Sequence, residues 1–352
     1  MHEVGPQITA IIPTFRRPRL LRRALRSVLN QTYSNLRICV YDNASGDETP
    51  EAVVEVAQGD ARVHYHCHAE NIGMARNFIY GMERVETPYF SFLSDDDLLL
   101  PNFYQNALEG FEKFPEAACS GLGLVLMQVP DQLAVLAPDV WPEGLCRPPD
   151  GLRNMLTMYP PPFEAILFRR ELIEEVGLLD PEVHNGDIDY ELRVFAHHAI
   201  VFSRRPGVVG DLHAGVATLQ TRLEDLWPGH LKLIRNTVED ARLDPDLRKW
   251  ASQVLVNGLI RRLFVDCGLR AIVDGRGEEA RRAAAILASE FGQVRRARLL
   301  RFVDGIHRLL PPLRHVSSLG LKLRRRWQKR RTKPAIRRQA ERFREYEGYM
   351  NL

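Results

Sequence analysis

Tyr89-Phe90-Ser91-Phe92-Leu93-Ser94-Asp95-Asp96-Asp97 decides how the rest of the chain reads. An apolar, aromatic run gives way after Ser94 to three consecutive carboxylates, the order expected of a buried strand that delivers acids at its C-terminal end. Adjacent carboxylates repel one another, so a fold gathers them where a cation or a solvated turn relieves the repulsion. A divalent metal holding a diphosphate is one reading. An acidic turn capping the helix after Pro101 is the other, and the triplet by itself does not separate them.

Three earlier segments have the same form. Ile8 to Ile12 stops at Pro13, and a helix follows from about Pro18, with Leu21, Ala24, Leu25 and Val28 on one stripe. Leu36 to Tyr41 ends at Asp42-Asn43, before the turn-forming Ala44-Ser45-Gly46-Asp47. Val63 to His66 leads into Asn71-Ile72-Gly73 and a helix over Met74 to Arg84. Strand and helix signals alternating at short intervals predict a mostly parallel α/β sheet with crossover helices. Ligands of such sheets bind outside the carboxyl ends of the strands, so four polar tips would share one crevice.

Beyond this region, residues 128 to 162 read as loop-rich and are punctuated by prolines. A strand-helix unit is expected over Ala165 to Phe168 and Arg170 to Val176, closed by Gly177. From about Leu219 the pattern is helical, broken at Pro228, Pro245, Gly275 and Pro311-Pro312.

Pro13-Thr14-Phe15, Asp42-Asn43-Ala44-Ser45, Asn71-Ile72-Gly73-Met74-Ala75-Arg76-Asn77 and the aspartate triplet, taken in that order at four strand ends, resemble the family 2 glycosyltransferases, inverting enzymes of the GT-A fold. The resemblance covers roughly residues 7 to 215. It implies a GT-A domain over 1–218, with a nucleotide-sugar half (1–127) and an acceptor half (128–218), followed by a helical region over 219–352. It also implies that Pro13, Thr14, Phe15 and Arg17 line the base and ribose of a UDP-, GDP- or dTDP-type sugar donor. Asp42 and Asn43 would hold the base, with a purely turn-stabilising Asp42 as the alternative. Asn71, Gly73, Arg76 and Asn77 would lie near the base or phosphates.

The aspartates correspond to the family's DxD-type element. They imply Mn²⁺ or Mg²⁺ as cofactor, with Asp96 and Asp97 as metal contacts, Asp95 near the ribose, and His213 approaching the metal or diphosphate. In Asn185-Gly186-Asp187-Ile188-Asp189-Tyr190-Glu191-Leu192-Arg193, which resembles the family's Glu-Asp-x-Asp helix start, Asp187 matches the general base and Gly186 replaces the usual preceding acid. The alternative makes Asp187 an N-cap and Asp189 a first-turn acid. Glu164, beside a triple proline, is placed near the acceptor. A Gln-x-x-Arg-Trp element and a membrane span, marks of the processive synthases, do not occur, which favours single-sugar transfer to a glycan or lipid-linked hydroxyl. Gly-x-Gly-x-x-Gly and Walker loops are missing too, against a dehydrogenase or a P-loop NTPase. A sugar nucleotidyltransferase and a non-catalytic nucleotide-binding scaffold are the rival readings.

The 352 residues carry a net charge of +3, distributed unevenly. Residues 313 to 352 hold thirteen Lys/Arg against three Asp/Glu, so an acidic body of net −7 carries a basic tail of net +10. Leu319, Leu323 and Trp327 lie among those basic residues at helical spacing. That pattern suits packing on the body or on a second copy, or contact with an anionic membrane surface. The acidic body counts against nucleic acid. Five scattered cysteines without a CxxC pair argue against a disulfide framework or zinc site, and no apolar run approaches the roughly 20 residues of a membrane span. The expectation is a cytoplasmic protein, peripheral at the inner membrane face if the tail binds lipid, and compatible with a homodimer.

Overall fold

The computed structural model describes residues 5–128, 132–134, 141–158, 160–212 and 223–310. Among these, one compact unit comprises 5–181 and 185–212, and a second comprises 182–184 and 223–310. His213, the proposed boundary at 218 and the basic tail lie outside the described residues.

The first unit opens with four strand-helix steps. β1 (Ile8–Thr14) is followed by α1 (Pro18–Leu29), β2 (Leu36–Asp42) by α2 (Thr49–Ala57), and β3 (Val63–Cys67) by α3 (Met74–Met82). β4 (Tyr89–Phe92) then meets the short β5 (Leu98–Leu99) and α4 (Phe103–Lys113). The apolar stripe of α1 is fully covered, as its spacing requires, and Pro18 sits where the missing N–H costs no helix bond. β1 is buried along its whole length because β2 and β4 flank it in parallel and helices cover both faces. Gly81 lets α3 lie directly on that strand: a Cβ there would come within 2.6 Å of Ile11 Cγ2.

The chain continues through β6 (Cys119–Gln128), β7 (Gln132–Ala134), β8 (Gly144–Cys146), α5 (Asp150–Thr157), β9 (Ile166–Arg169), α6 (Glu171–Glu175), α7 (Gly186–His197) and β10 (Ile200–Leu212). All are joined in one mixed sheet of order β3-β2-β1-β4-β9-β6-β10-β5, with β7 on β6 and β8 on β10. The strands expected from the sequence pair in parallel at one side; β9 enters antiparallel between β4 and β6. The segment read as loops therefore contains β7, β8 and α5, whose short runs carry too little periodicity to stand out from the surrounding prolines.

The second unit is helical: α8 (Leu223–Val238), α9 (Pro245–Phe264), α10 (Ala271–Val273), α11 (Gly277–Ser289) and α12 (Val294–Leu309). A π-helical turn, Val265–Arg270, joins α9 to α10. Asp244 caps α9 by accepting from the Asp246 and Leu247 N–H groups, at 3.0 and 3.1 Å. Pro228 does not break α8 as its residue type predicted. It stands near the start of the helix, where it removes a single interior bond. Leu259, Leu263, Ala283, Ala284, Leu287 and Leu300 form the centre of this unit's own core.

Candidate active site

The strand ends are tied into one polar platform. Backbone N–H of Asn43, just after β2, donates to the carbonyl of Thr14 at the end of β1 (3.0 Å). The Asn43 amide donates to Asn71 Oδ1 (2.9 Å) and its Oδ1 accepts from Ile72 N–H (2.8 Å), which fixes the segment after β3. Asn71 Oδ1 also accepts from Gly73 N–H (2.9 Å), and Gly73, at φ 87°, supplies the backbone turn that starts α3. The fourth tip joins through Thr14, whose hydroxyl donates to Asp95 Oδ2 at 2.7 Å.

Arg17 sits over the acidic run. Its Nη1 donates to Asp95 Oδ1 (3.1 Å) and Asp96 Oδ2 (2.9 Å). Burial opposes the guanidinium charge, yet the two carboxylates more than offset this and raise its pKa. Asp95 is 6% exposed, and burial lifts its carboxyl above the ordinary range against the pull of Thr14 and Arg17. Both Asp95 oxygens are thus engaged inside the protein, and Asp96 is the outer acid of the pair.

Asp42 accepts from Ser45 N–H (3.0 Å), from the Ser45 hydroxyl and from Tyr65 O–H (2.7 Å). An ionised carboxylate has about four acceptor sites. Three are taken, and the carboxylate is almost fully buried, so the turn-stabilising role is the one on display. Asn77, expected near the base or phosphates, is buried, donates to Tyr41 C=O (2.8 Å) and lies 2.9 Å from His68 Nε2, so it braces the start of α3. Pro13 is buried in β1, whereas Phe15 and Arg76 stand exposed, at the end of β1 and on α3. Arg16 stacks its guanidinium 5.0 Å from the Phe15 ring centroid and bonds Ser45 through its backbone N–H (2.8 Å).

The segment after β8 contributes further carboxylates. Glu164, in the single turn Phe163–Ala165 before β9, accepts from Ser94 Oγ at 2.8 Å, which ties it to the aspartate loop. It is hemmed in by surrounding atoms yet keeps a partly accessible edge, as the wall of a crevice does. Burial, followed by the negative charges of Asp187 and Asp96, raises its pKa. Glu164 therefore stands within electrostatic reach of both Asp96 and Asp187. Asp187 is exposed in the first turn of α7, after Asn185, whose side chain makes no cap bond. Asp189 is buried against Arg193 (2.9 Å), which also donates to the carbonyls of Val176 and Leu178, so it holds α7 in place. One turn beyond Asp187 on α7, Glu191 is completely buried. Neither of its carboxyl oxygens has a hydrogen-bond partner among the described residues, and burial, with Asp187 and Glu164 adding to it, lifts its pKa well above the usual range. The Ser94–Glu164 bond and the burial of Glu191 depend on tertiary contacts far apart in sequence. Only the acidity of the 187–191 segment hinted at them.

No group of three or more His, Cys, Asp or Glu side chains among the described residues is arranged to hold a metal by itself. The donors present fit a cation bound through one or two carboxylates and completed by substrate phosphates, the usual arrangement for Mg²⁺. Asp95 has both oxygens engaged by Thr14 and Arg17, and Asp96 shares Arg17 through one oxygen, so Asp96 and Asp97 are the acids of the run that fit such a role.

A strand-tip platform with this order belongs to a known class. Residues 9–177 match the family model of glycosyl transferase family 2, and that part of the chain is a domain of the family. An uncharacterized glycosyltransferase of Rickettsia prowazekii is 27% identical over 243 residues, 65% of this chain and 72% of that protein. The GalNAc(5)-diNAcBac-PP-undecaprenol β-1,3-glucosyltransferase of Campylobacter jejuni is 33% identical over 111 residues, 30% of this chain and 36% of that one. An uncharacterized glycosyltransferase of Rickettsia bellii is 32% identical over 108 residues but is covered over only 15% of its length. In fold, the chain resembles residues 1–349 of S. aureus TarS, with a TM-score of 0.62 at 13% identity over 86% of this chain and 91% of that one. The same TarS fragment bound to UDP-GlcNAc gives the same TM-score. The architecture is GT-A-like, a mixed sheet with a helical C-terminal region.

Proposed function

We propose that the protein is an inverting glycosyltransferase that moves one sugar from a nucleoside-diphosphate sugar to an acceptor hydroxyl. The observation that carries the reading is the continuity from Thr14 through Asp95, Arg17 and Asp96, with Glu164 within electrostatic reach of both Asp96 and Asp187. Donor-binding tips and an exposed carboxylate on a helix start therefore share one polar region. The TarS fold neighbour bound to UDP-GlcNAc supports a nucleotide-sugar donor, and the undecaprenol-linked substrate in the Campylobacter relative's name supports a lipid-linked acceptor.

In this reading Phe15 lies against the base, and Asp42 accepts a hydrogen bond from it. Asp187 takes the proton of the attacking hydroxyl as positive charge develops at the anomeric carbon. Attack from the side opposite the leaving diphosphate inverts the centre. Glu164 and Glu191, both disposed to hold protons at pH values where ordinary carboxylates do not, leave Asp187 as the carboxylate facing solvent. Asp96 and Asp97 would hold Mn²⁺ or Mg²⁺ with substrate phosphates. The cation's chemistry is to offset charge on the departing diphosphate.

Asp187→Asn tests the assignment. Nucleotide-induced thermal stabilisation with UDP, GDP, dTDP or CDP, each with and without Mn²⁺, should match the parent's, while transfer falls by at least about a hundredfold. Parental transfer by Asp187→Asn refutes the base. Release of pyrophosphate instead of a nucleoside diphosphate points to a nucleotidyltransferase. No stabilisation by any of the four nucleotides removes the donor site.

A further inference from the structure

α12 has two opposed faces. Ala297, Leu300, Asp304 and His307 point into the core of the helical unit. On the other side Leu299, Phe302, Ile306 and Leu309 fall on one line at helical spacing. Leu299 is 47%, Phe302 66% and Leu309 82% exposed, an unusual outlay of large apolar side chains for one helix. Arg295, Arg298 and Arg301 border that line, and none of the three has a carboxylate partner among the described residues. The helix's one acid, Asp304, is buried and held by Arg281 and Arg308.

Charge selects what covers this face. A second copy packed symmetrically would oppose arginine to arginine around the apolar line, with no exposed acid on α12 itself to relieve it. The chain's own segment 313–352 carries net +10 and meets the same repulsion. Nucleic acid would satisfy the arginines but leave Phe302 and Leu309 against phosphate and water. An anionic bilayer satisfies both: the apolar line enters the acyl boundary and the guanidinium groups remain at the headgroup phosphates.

We propose that α12 is an in-plane membrane anchor that docks the helical unit on an anionic lipid surface. It is independent of the sugar-transfer reading, since loss of nucleotide binding leaves it untouched.

The test uses the full chain and sedimentation with vesicles of phosphatidylcholine, alone or with about one quarter phosphatidylglycerol, at low and high salt. The parent should bind the anionic vesicles, with affinity falling as salt rises. Leu299→Gln/Phe302→Gln and Arg295→Gln/Arg298→Gln/Arg301→Gln should each weaken binding on the order of tenfold, without a change in melting temperature. Phe302→Trp should shift its emission to the blue on anionic vesicles and be quenched by brominated acyl chains; an unmoved spectrum overturns the proposal even if the other variants misfold. Undiminished binding by the Leu299/Phe302 variant, which assigns lipid contact to 313–352 alone, overturns it as well. So does a dimer of the parent that this variant splits into monomers, or a preference of the arginine face for duplex nucleic acid over vesicles.

Discussion

Glu191→Gln is expected to flatten the pH dependence of stability in the sheet unit. The native carboxyl is buried without a hydrogen-bond partner among the described residues, and burial holds its pKa well above the ordinary glutamate value, whereas the unfolded chain returns it to that value of 4.5. Between the two values the native state binds the proton and the unfolded state does not. Stability is therefore greatest below the unfolded pKa and declines as pH rises toward the folded one. Each such group contributes a slope of about 1.4 kcal/mol per pH unit within its window. Glu164, raised for the same reason, adds a second slope of the same sign. For a unit of this size that is roughly 3 to 5 °C of melting temperature per pH unit per group. Glutamine keeps the shape and removes the titration, so the variant should match the parent near pH 4.5 and exceed it progressively as pH rises above that value. Scanning calorimetry at half-unit intervals reads this directly. Parallel curves for parent and variant would refute the burial argument, because a solvated or partnered Glu191 has nothing to lose on ionising.

Thr14→Val removes the hydroxyl that donates to Asp95 at 2.7 Å and leaves a buried carboxylate short of a donor; a loss of about 1 to 3 kcal/mol in urea denaturation and weaker nucleotide binding should accompany it. Gly81→Ala drives a methyl to 2.6 Å from Ile11 Cγ2, so α3 must lift from β1 at a cost of about 1 to 3 kcal/mol in the same assay. Asp304→Asn acts in the helical unit. Burial opposes ionisation of Asp304, but Arg308 and Arg281 outweigh it and depress the pKa, so its contribution is present above the ordinary aspartate value and lost as pH falls through the folded one. Because both arginines are about half exposed, the variant should lose only about 1 to 2 kcal/mol at pH 7, a deficit that shrinks as pH falls below the ordinary aspartate value; a deficit that acid leaves undiminished would contradict the pairing.

The donor half was legible because its signals are local. A buried parallel strand needs a continuous apolar run, its tip needs turn-forming polar residues, and both occur within ten residues of sequence at β1, β2 and β4. Residue type misled where the fold supplies a partner that the sequence does not reveal. Asn77 reads as a residue near the base or phosphates, and only the docking of α3 shows its bond to Tyr41 C=O. Pro228 looks like a breaker until its place near a helix start makes it affordable. β9 and β6 pair with strands distant in the chain, and no periodicity announces that an antiparallel strand will be inserted beside β4.

The carboxylates of the acidic region constrain one another. Asp96, Glu164, Asp187 and Glu191 influence one another electrostatically, and four full charges in one neighbourhood would repel strongly. The fold grades them by burial. Arg17 meets Asp96, Ser94 donates to Glu164, Glu191 is shut away without a donor, and Asp187 alone is exposed. A proton on Glu191 removes a negative charge one turn from Asp187 without placing a cation there that would weaken a base. Replacing Glu191 with lysine would introduce that cation in the same buried place, and with glutamine would not. A glycosyltransferase whose base is Asp187 should therefore keep transfer in the glutamine variant. Its loss there, with nucleotide binding intact, would mean that Glu191 takes part in the chemistry directly.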